Sequence, residues 1–460
     1  MNKALLVTIS FTGFILDLVA CYPGFLYIDS VDQYTQSIHF SYTDWHPPIM
    51  AGVWSLLNFI YKGPLLMLVM QLALLWTSFY LIASTWCRKS LPLIALLLLF
   101  ALAPYVQNFA GLIVKDTQMA FCWLLAVTII LRANYQARTM SKTEVVITFL
   151  LITYGTMVRI NALPGSIPLY YLWVENIYTG TFSKKIAWLM LALTGLLIIN
   201  STITKYVLKP RKTYPEYKLM AHDIAGIYVT TGKSYFPAFV TSYPAFDTNL
   251  IRQRFTTATL DNLWWINGAT TMFAPLDEAS RKVLINHWEK AILENKATYL
   301  RNRFDGFLYY LQLKQRPDTT FYYFYPYIHT NPYGFKLKET PVFRAYTTYI
   351  KANKDLPFMK PWFWLLLPVV QLLLTLKLPA GRFRTATQCL ALSSLLYLLP
   401  QFFIYQADTE FRYFYWCCVS TSLHTVLLIS WYIHKKTAAS HPSTNGNKKA
   451  LRRSEGPTII

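Results

Sequence analysis

Residues 64–86, PLLMLVMQLALLWTSFYLIASTW, contain no charged side chain. A run of this length meets the ~20 apolar residues an α-helix needs to cross ~30 Å of hydrocarbon. It stops at Arg88 and Lys89, and a second apolar run starts at Leu91. Span, short cationic turn, span: the rest of the chain repeats this order. With 54% hydrophobic and 14% charged residues, the composition belongs to a polytopic membrane protein.

Ten stretches fit as spans: roughly 4–22, 64–86, 91–108, 117–133, 144–159, 163–178, 186–204, 361–377, 386–405 and 413–434. The expected fold class is therefore an all-α polytopic membrane protein. It would be a bundle of about ten transmembrane helices with a mixed or mainly helical soluble domain on its outer face. Basic residues fall in alternate short loops: Arg88 and Lys89; Arg132, Arg138 and Lys142; Lys184 and Lys185; Lys377, Arg382 and Arg384. The tail adds Lys435, Lys436, Lys448, Lys449, Arg452 and Arg453. Cytoplasmic loops collect lysine and arginine, so these loops and both termini are expected inside. The same pattern accounts for the net charge of +21, and makes membrane lipids, not nucleic acid, the expected partner. No small-residue cleavage site follows Ala20, so the first span is expected to stay uncleaved.

Four regions follow: a transmembrane module at 1–204, with its first outer loop at 23–63; an outer domain at 205–360; C-terminal transmembrane helices at 361–434; and a basic, disordered cytoplasmic tail at 435–460. Residues 47–61 are apolar but too short to cross, and are expected to lie in the interface as a helix. The six cysteines all sit in or beside apolar spans, as small packing residues rather than a disulfide framework.

With that topology, the ionisable clusters that the cationic loops leave unexplained share the outer side. They are Asp29 to His46, Lys115-Asp116, Arg159-Ile160-Asn161, and Asp408 to Tyr413. Acidic groups beside hydrocarbon are costly and are usually kept for function. Transfer of a sugar from a lipid phosphate to a hydroxyl needs a carboxylate to take the acceptor proton. It also needs cations to hold the departing phosphate. Asp29, Asp32 and Asp116 are the available bases. Lys115, Arg159 and Arg412 are the available cations, with arginine suited to a bidentate grip on phosphate. Against this stand plainer roles: Lys115-Asp116 as an ion pair at a span end, Arg159 as a snorkelling residue, and Arg412 as a partner of Asp408 or Glu410. The run Phe321 to Tyr327 is expected to wall a cleft or fill an aromatic core.

Asp29-Ser30 after the first span, then Asp44-Trp45-His46-Pro47-Pro48, resembles the GT-C glycosyltransferases, which use polyprenyl-phosphate sugars. Protein O-mannosyltransferases and lipid A aminoarabinose transferases carry Asp-Glu at this place. The Asp-Ser-x-x-Gln form, with Asp29, Ser30 and Gln33, is more similar to bacterial and phage glucosyltransferases that modify O-antigen. The resemblance covers 23–50, extends to Lys115-Asp116 and Arg412-Tyr413, and is absent over the outer domain. It implies an inner-membrane glycosyltransferase acting at the periplasmic face, moving a sugar such as glucose from a polyprenyl-phosphate donor to a glycan or lipid acceptor. It further implies Asp29 as general base, Asp116 as a candidate second catalytic acid and His46 as a structural or acceptor-side residue. With the residue reading above, Asp32, Gln33, Asp44, His46, Lys115, Arg159, Asn161, Arg412 and Tyr413 are the expected substrate-binding residues. No cofactor is required by the resembled enzymes; a divalent metal held by Asp29, Asp32 and Asp116 is possible chemistry but is not expected. Ser30 departs from the Asp-Glu form, and Asp32 remains a rival base. The alternative from another class is a transporter or flippase of a lipid-linked sugar. That reading would favour repeated halves and ionisable residues midway along spans.

Overall fold

The computed structural model describes residues 2–88, 90–264, 273, 276–315, 321–404 and 410–440. Lys89, Asp408, Thr409 and the tail from 441, with its four last basic residues, lie outside these. The described chain is helical throughout, with only isolated single-residue bridges in place of sheets.

The first part holds α1 (Lys3–Cys21), α2 (Ile28–His39), α3 (Ile49–Asn58), α4 (Leu65–Ile82), α5 (Leu91–Ala101), α6 (Pro104–Ala110), α7 (Lys115–Tyr135), α8 (Lys142–Met157), α9 (Leu163–Ile177) and α10 (Phe182–Thr202). The middle part holds α11 (Glu216–Thr231), α12 (Ala238–Thr241), α13 (Thr248–Arg254), α14 (Asp261–Trp264), α15 (Glu278–Glu294), α16 (Lys296–Tyr310) and α17 (Pro341–Ala352). The last part holds α18 (Pro361–Thr375), α19 (Arg382–Leu398), α20 (Gln401–Ile404) and α21 (Tyr415–Ser440).

Each of the ten apolar stretches carries a helix, but only six are long and apolar enough to cross a membrane by themselves. The pair α5–α6, bent by 49°, makes a seventh if it counts as one span. Helices α8, α9 and α18 have 16, 15 and 15 residues. At 1.5 Å per residue they reach only about 22–24 Å, short of the ~30 Å hydrocarbon core. For α8 the cause lies at Arg159. Helix α8 stops at Met157, and Arg159 is extended (φ −136°, ψ 130°), which takes its guanidinium out of the helix and into a polar cluster.

Helix pairs in lipid gain little from the hydrophobic effect and rely on close packing and buried hydrogen bonds. A Cβ on Gly155 would meet the Trp123 ring at 2.6 Å, and one on Gly165 would meet Tyr397 at 2.7 Å. These two glycines let α8 and α9 approach α7 and α19. Ser393 Oγ then donates to the Gly165 carbonyl at 2.6 Å, and Trp416 Nε1 donates to Ser393 at 2.9 Å. All six cysteines are buried and free.

The segment 205–360 divides. Residues 217–291 build a core of their own, with Ile224, Ile227, Val240, Ile251 and Leu284 fully or almost fully buried. Helix α16 joins it through Arg303, which pairs with Asp223 at 2.5 Å, and the chain beyond turns to the bundle. Tyr310, Leu311, Tyr325, Phe343 and Met359 belong instead to the core of the bundle. Helix α17 lies against α1 and α6, where the Tyr346 hydroxyl donates to the Gln107 carbonyl and Tyr349 donates to Leu102 O at 3.0 Å.

Candidate active site

Backbone pairing between distant segments brings the polar loops together. Phe25 N donates to Gly111 O (2.9 Å) and Ile113 N donates to Phe25 O (3.0 Å). Leu26 then pairs with the aromatic run, through Leu26 N to Tyr327 O (3.1 Å) and His329 N to Leu26 O (2.7 Å). The same run receives the last loop, with Phe411 N donating to Tyr322 O at 2.9 Å. Beneath them, Gln71 Nε2 donates to Ala110 O (2.6 Å) and Leu112 O (3.2 Å), and Gln118 Nε2 donates to Gln71 Oε1 (2.8 Å). Buried polar groups that are satisfied in this way hold a loop in one place. Ser30, where the resembled Asp-Glu enzymes have an acid, accepts from Tyr27 N (3.2 Å) and donates to Ile113 O (2.6 Å). It ties the start of α2 to the residues leading into α7.

Asp29 and Asp116 each stand in the first turn of a helix, where the helix dipole favours a carboxylate. Around them the side chains close a ring. Arg412 Nη1 donates to Asp29 Oδ2 at 3.0 Å. His46 Nε2 lies 3.5 Å from Asp29 Oδ1, and Lys115 Nζ lies 2.5 Å from His46 Nδ1. Asp116, next to Lys115, is paired with Arg159, whose Nε donates to Asn161 Oδ1 at 3.0 Å. The Tyr413 ring joins the two arginines, its centroid 5.3 Å from the Arg159 guanidinium and 5.2 Å from that of Arg412. Tyr27 packs on the other side of Arg412 at 5.3 Å.

An ammonium has only donors, so Lys115 leaves His46 Nδ1 as acceptor and puts the ring proton on Nε2, facing Asp29. Burial and the charge of Lys115 push His46 below its ordinary pKa, more than Asp29 raises it. Burial by itself would raise Asp29, but His46, Arg412 and Lys115 outweigh it and hold that carboxyl well below the usual range. Asp29 is thus an ionised base at neutral pH, beside the His46 imidazole.

Eight of the expected site residues stand in this ring or touch it: Asp29, His46, Lys115, Asp116, Arg159, Asn161, Arg412 and Tyr413. Three stand apart. Asp32 is exposed and accepts from Gln36 Nε2 at 2.7 Å. Asp44 accepts from the backbone and side chain of Thr213 at 2.6 and 2.7 Å, which fastens the first loop to the outer segment. Gln33 is buried, and among the described residues neither of its amide atoms has a hydrogen-bond partner.

One acid belongs here that the sequence reading left out of the site. Glu410 is paired with Arg412 Nε and also accepts from Nη2 at 3.2 Å. Burial pushes it above its ordinary pKa despite that arginine. The Glu-x-Arg spacing at the head of the last span was the available signal. Asp17, within α1, accepts from Trp76 Nε1 at 2.8 Å and Gln107 Nε2 at 3.3 Å. No group of three or more His, Cys, Asp or Glu side chains among the described residues is arranged to hold a metal ion. Comparisons with protein-family models, with curated proteins and with solved structures find no match for this chain.

Proposed function

We propose that the protein is an integral-membrane glycosyltransferase that moves a sugar from a polyprenyl-phosphate donor to a glycan or lipid acceptor, by inverting displacement. One observation carries the reading. An ionised carboxylate, Asp29, stands in one ring with three buried cations, Lys115, Arg159 and Arg412, drawn from loops up to 383 residues apart. Such a ring is expensive to bury, and its composition suits the transfer.

In the proposed step, Asp29 takes the proton from the acceptor hydroxyl as its oxygen bonds to the sugar's anomeric carbon. The bond from that carbon to the phosphate oxygen breaks at the same time, and its electron pair leaves with the phosphate. Lys115, Arg159 and Arg412 stabilise the charge that develops there. Asp116 and Glu410 hold the two guanidiniums in place, so little reorganisation is needed as the reaction proceeds. In the same proposal the ten apolar stretches cross the bacterial inner membrane, the three short helices together with the residues that flank them; the ring faces the periplasm, and both termini are cytoplasmic. Asp17 does not favour the transporter reading, because its carboxylate is occupied by Trp76 and Gln107.

The test is transfer of radiolabel from polyprenyl-phosphate glucose to acceptor in membranes carrying the wild-type chain or Asp29→Asn. A positioned base contributes ~10²–10⁴-fold, so Asp29→Asn is expected to lower transfer by at least ~10²-fold with donor binding kept. Full transfer by Asp29→Asn overturns the assignment.

A further inference from the structure

Helix α16 carries an apolar stripe that the rest of the protein leaves largely uncovered. Ala297, Leu300, Phe304 and Phe307 recur at spacings of three and four, which places them on one face of the helix. Leu300 is 47% exposed and Phe304 57%. Gly306 and Tyr309, on the far side of the helix, are buried. Lys296 and Arg301, both exposed, stand on the two edges of the stripe.

The end of α16 is fastened to the bundle on the ring's side. Tyr310 packs on Phe414 with ring centroids 4.4 Å apart, and Phe307 meets Phe402 edge-on at 5.6 Å. Trp362 N, at the head of α18, donates to Leu311 O at 3.2 Å. At Phe402 a second stripe arrives. The helix Arg382–Phe403 is one of the six long and apolar enough to cross a membrane. It exposes Leu392, Leu396, Leu399 and Phe403, again at spacings of three and four. On a spanning helix an uncovered apolar face meets hydrocarbon. Phe403 adjoins Phe402, so this face runs on into the stripe of α16.

We propose that α16 is an interfacial helix that seats the middle part of the chain on the bilayer, in the leaflet on the ring's side. Leu300 and Phe304 enter the boundary between headgroups and acyl chains, as the apolar face of such helices does. Lys296 and Arg301 reach lipid phosphates from the two edges, their stems lying along the apolar surface. Exposed apolar patches rimmed by polar groups mark interaction surfaces. Here the occupant is lipid, because the stripe continues the hydrocarbon-facing side of a span; a protein partner would have to displace lipid from that span as well. The inference goes beyond the transferase reading and does not rest on it.

The experiment attaches a nitroxide to the full chain in nanodiscs of phosphatidylethanolamine and phosphatidylglycerol. The six native cysteines are buried, so Leu300→Cys and Phe304→Cys each offer one exposed thiol to the label. Leu399→Cys, on the span, is the reference for hydrocarbon, and Lys233→Cys, exposed just after α11, is the reference for water. Collision with oxygen, which partitions into lipid, is compared with collision with a water-soluble nickel chelate. Expected is faster relaxation by oxygen at 300 and 304, as at 399, and the reverse order at 233. Faster relaxation by the nickel chelate at either 300 or 304 leaves the stripe in water and overturns the proposal. Labels at these positions that neither reagent reaches show that protein covers the stripe, and overturn it too. Because the readout needs no sugar transfer, it stands or falls separately from the transfer assay.

Discussion

Asp29–Arg412 at the end of the bundle and Asp223–Arg303 in the core of the middle part are both carboxylate–arginine pairs drawn out of solvent, at 3.0 and 2.5 Å. They differ in what surrounds them. Arg303 is fully buried and Asp223 is 4% exposed, with Trp288 Nε1 donating to the same carboxylate oxygen at 2.9 Å. Burial outweighs Arg303 there and pushes the Asp223 carboxyl above its ordinary pKa. Asp29 is 18% exposed, and the several cationic and hydrogen-bonding groups around it push its carboxyl the opposite way. One pair is a strut that a protein core closes over. The other keeps an ionised oxygen within reach of a ligand, and only that arrangement is of use to a reaction.

The comparison breaks most sharply if the two aspartates behave alike on substitution. Asp29→Asn is expected to lose at least ~10²-fold in transfer while its thermal midpoint barely moves, because Arg412 still has Glu410. Asp223→Ala is expected to do the reverse. Removing one partner of a buried pair strands the other charge and costs ~3–5 kcal/mol, so the unit 217–291 should melt early while the ring stays intact. Differential scanning fluorimetry together with the transfer assay reads both. Early melting of Asp29→Asn, or an unshifted midpoint in Asp223→Ala, would erase the distinction.

The opposite pKa shifts give the next prediction, and its sign follows from linkage. Asp29 is depressed in the fold, so its contribution to stability is present above its unfolded pKa and is lost as pH falls through the lower folded value. Asp223 is raised, so the fold favours its protonated form, and stability there falls as pH climbs from the unfolded value towards the folded one. Hydrogen exchange, corrected for intrinsic rates, should show 28–39 loosening on acidification and 216–231 tightening. For the same reason kcat/KM should show no acid limb from Asp29 between about pH 5 and 8. A limb in that range that vanishes in Asp29→Asn would contradict the depressed value.

Much of this was legible in the chain itself. Uncharged runs such as 64–86 have few alternatives to helix in hydrocarbon, and carboxylates placed beside them drew attention to Asp29 and Asp116. Span length was less legible. The stretch 144–159 reads as a span, whereas the helix stops at Met157 as Arg159 turns to pair with Asp116, a contact 43 residues distant. How 205–360 packs was less legible still. Polarity marks the segment as outside the spans, but the packing of Tyr310, Tyr325 and Phe343 on the bundle depends on shape. The aromatic run shows no helical pattern because its backbone pairs with Leu26 and Phe411 instead. Glu410 was visible as a neighbour of Arg412, but nothing local shows that both would be buried.

The smallest expected effect sharpens the comparison within a single helix. Asp32 lies three residues after Asp29 on α2, and sequence alone left the two as rival bases. Three positions turn a helix by about 300° and leave two side chains about 60° apart, so it is burial, not opposite faces, that separates them. Asp32 faces outward, exposed and bonded to Gln36 Nε2, whereas Asp29 faces Arg412 and His46. An exposed carboxylate contributes its field to His46 through solvent, where screening leaves little. Asp32→Asn keeps the size and an acceptor for Gln36, and is expected to change transfer by less than ~3-fold, about 0.65 kcal/mol. Kinetics of Asp29→Asn, Asp32→Asn and the double variant under one salt condition measure this. If Asp32→Asn matched the loss in Asp29→Asn, the catalytic carboxylate would lie on the rim of the ring, and Asp29 would become a strut like Asp223.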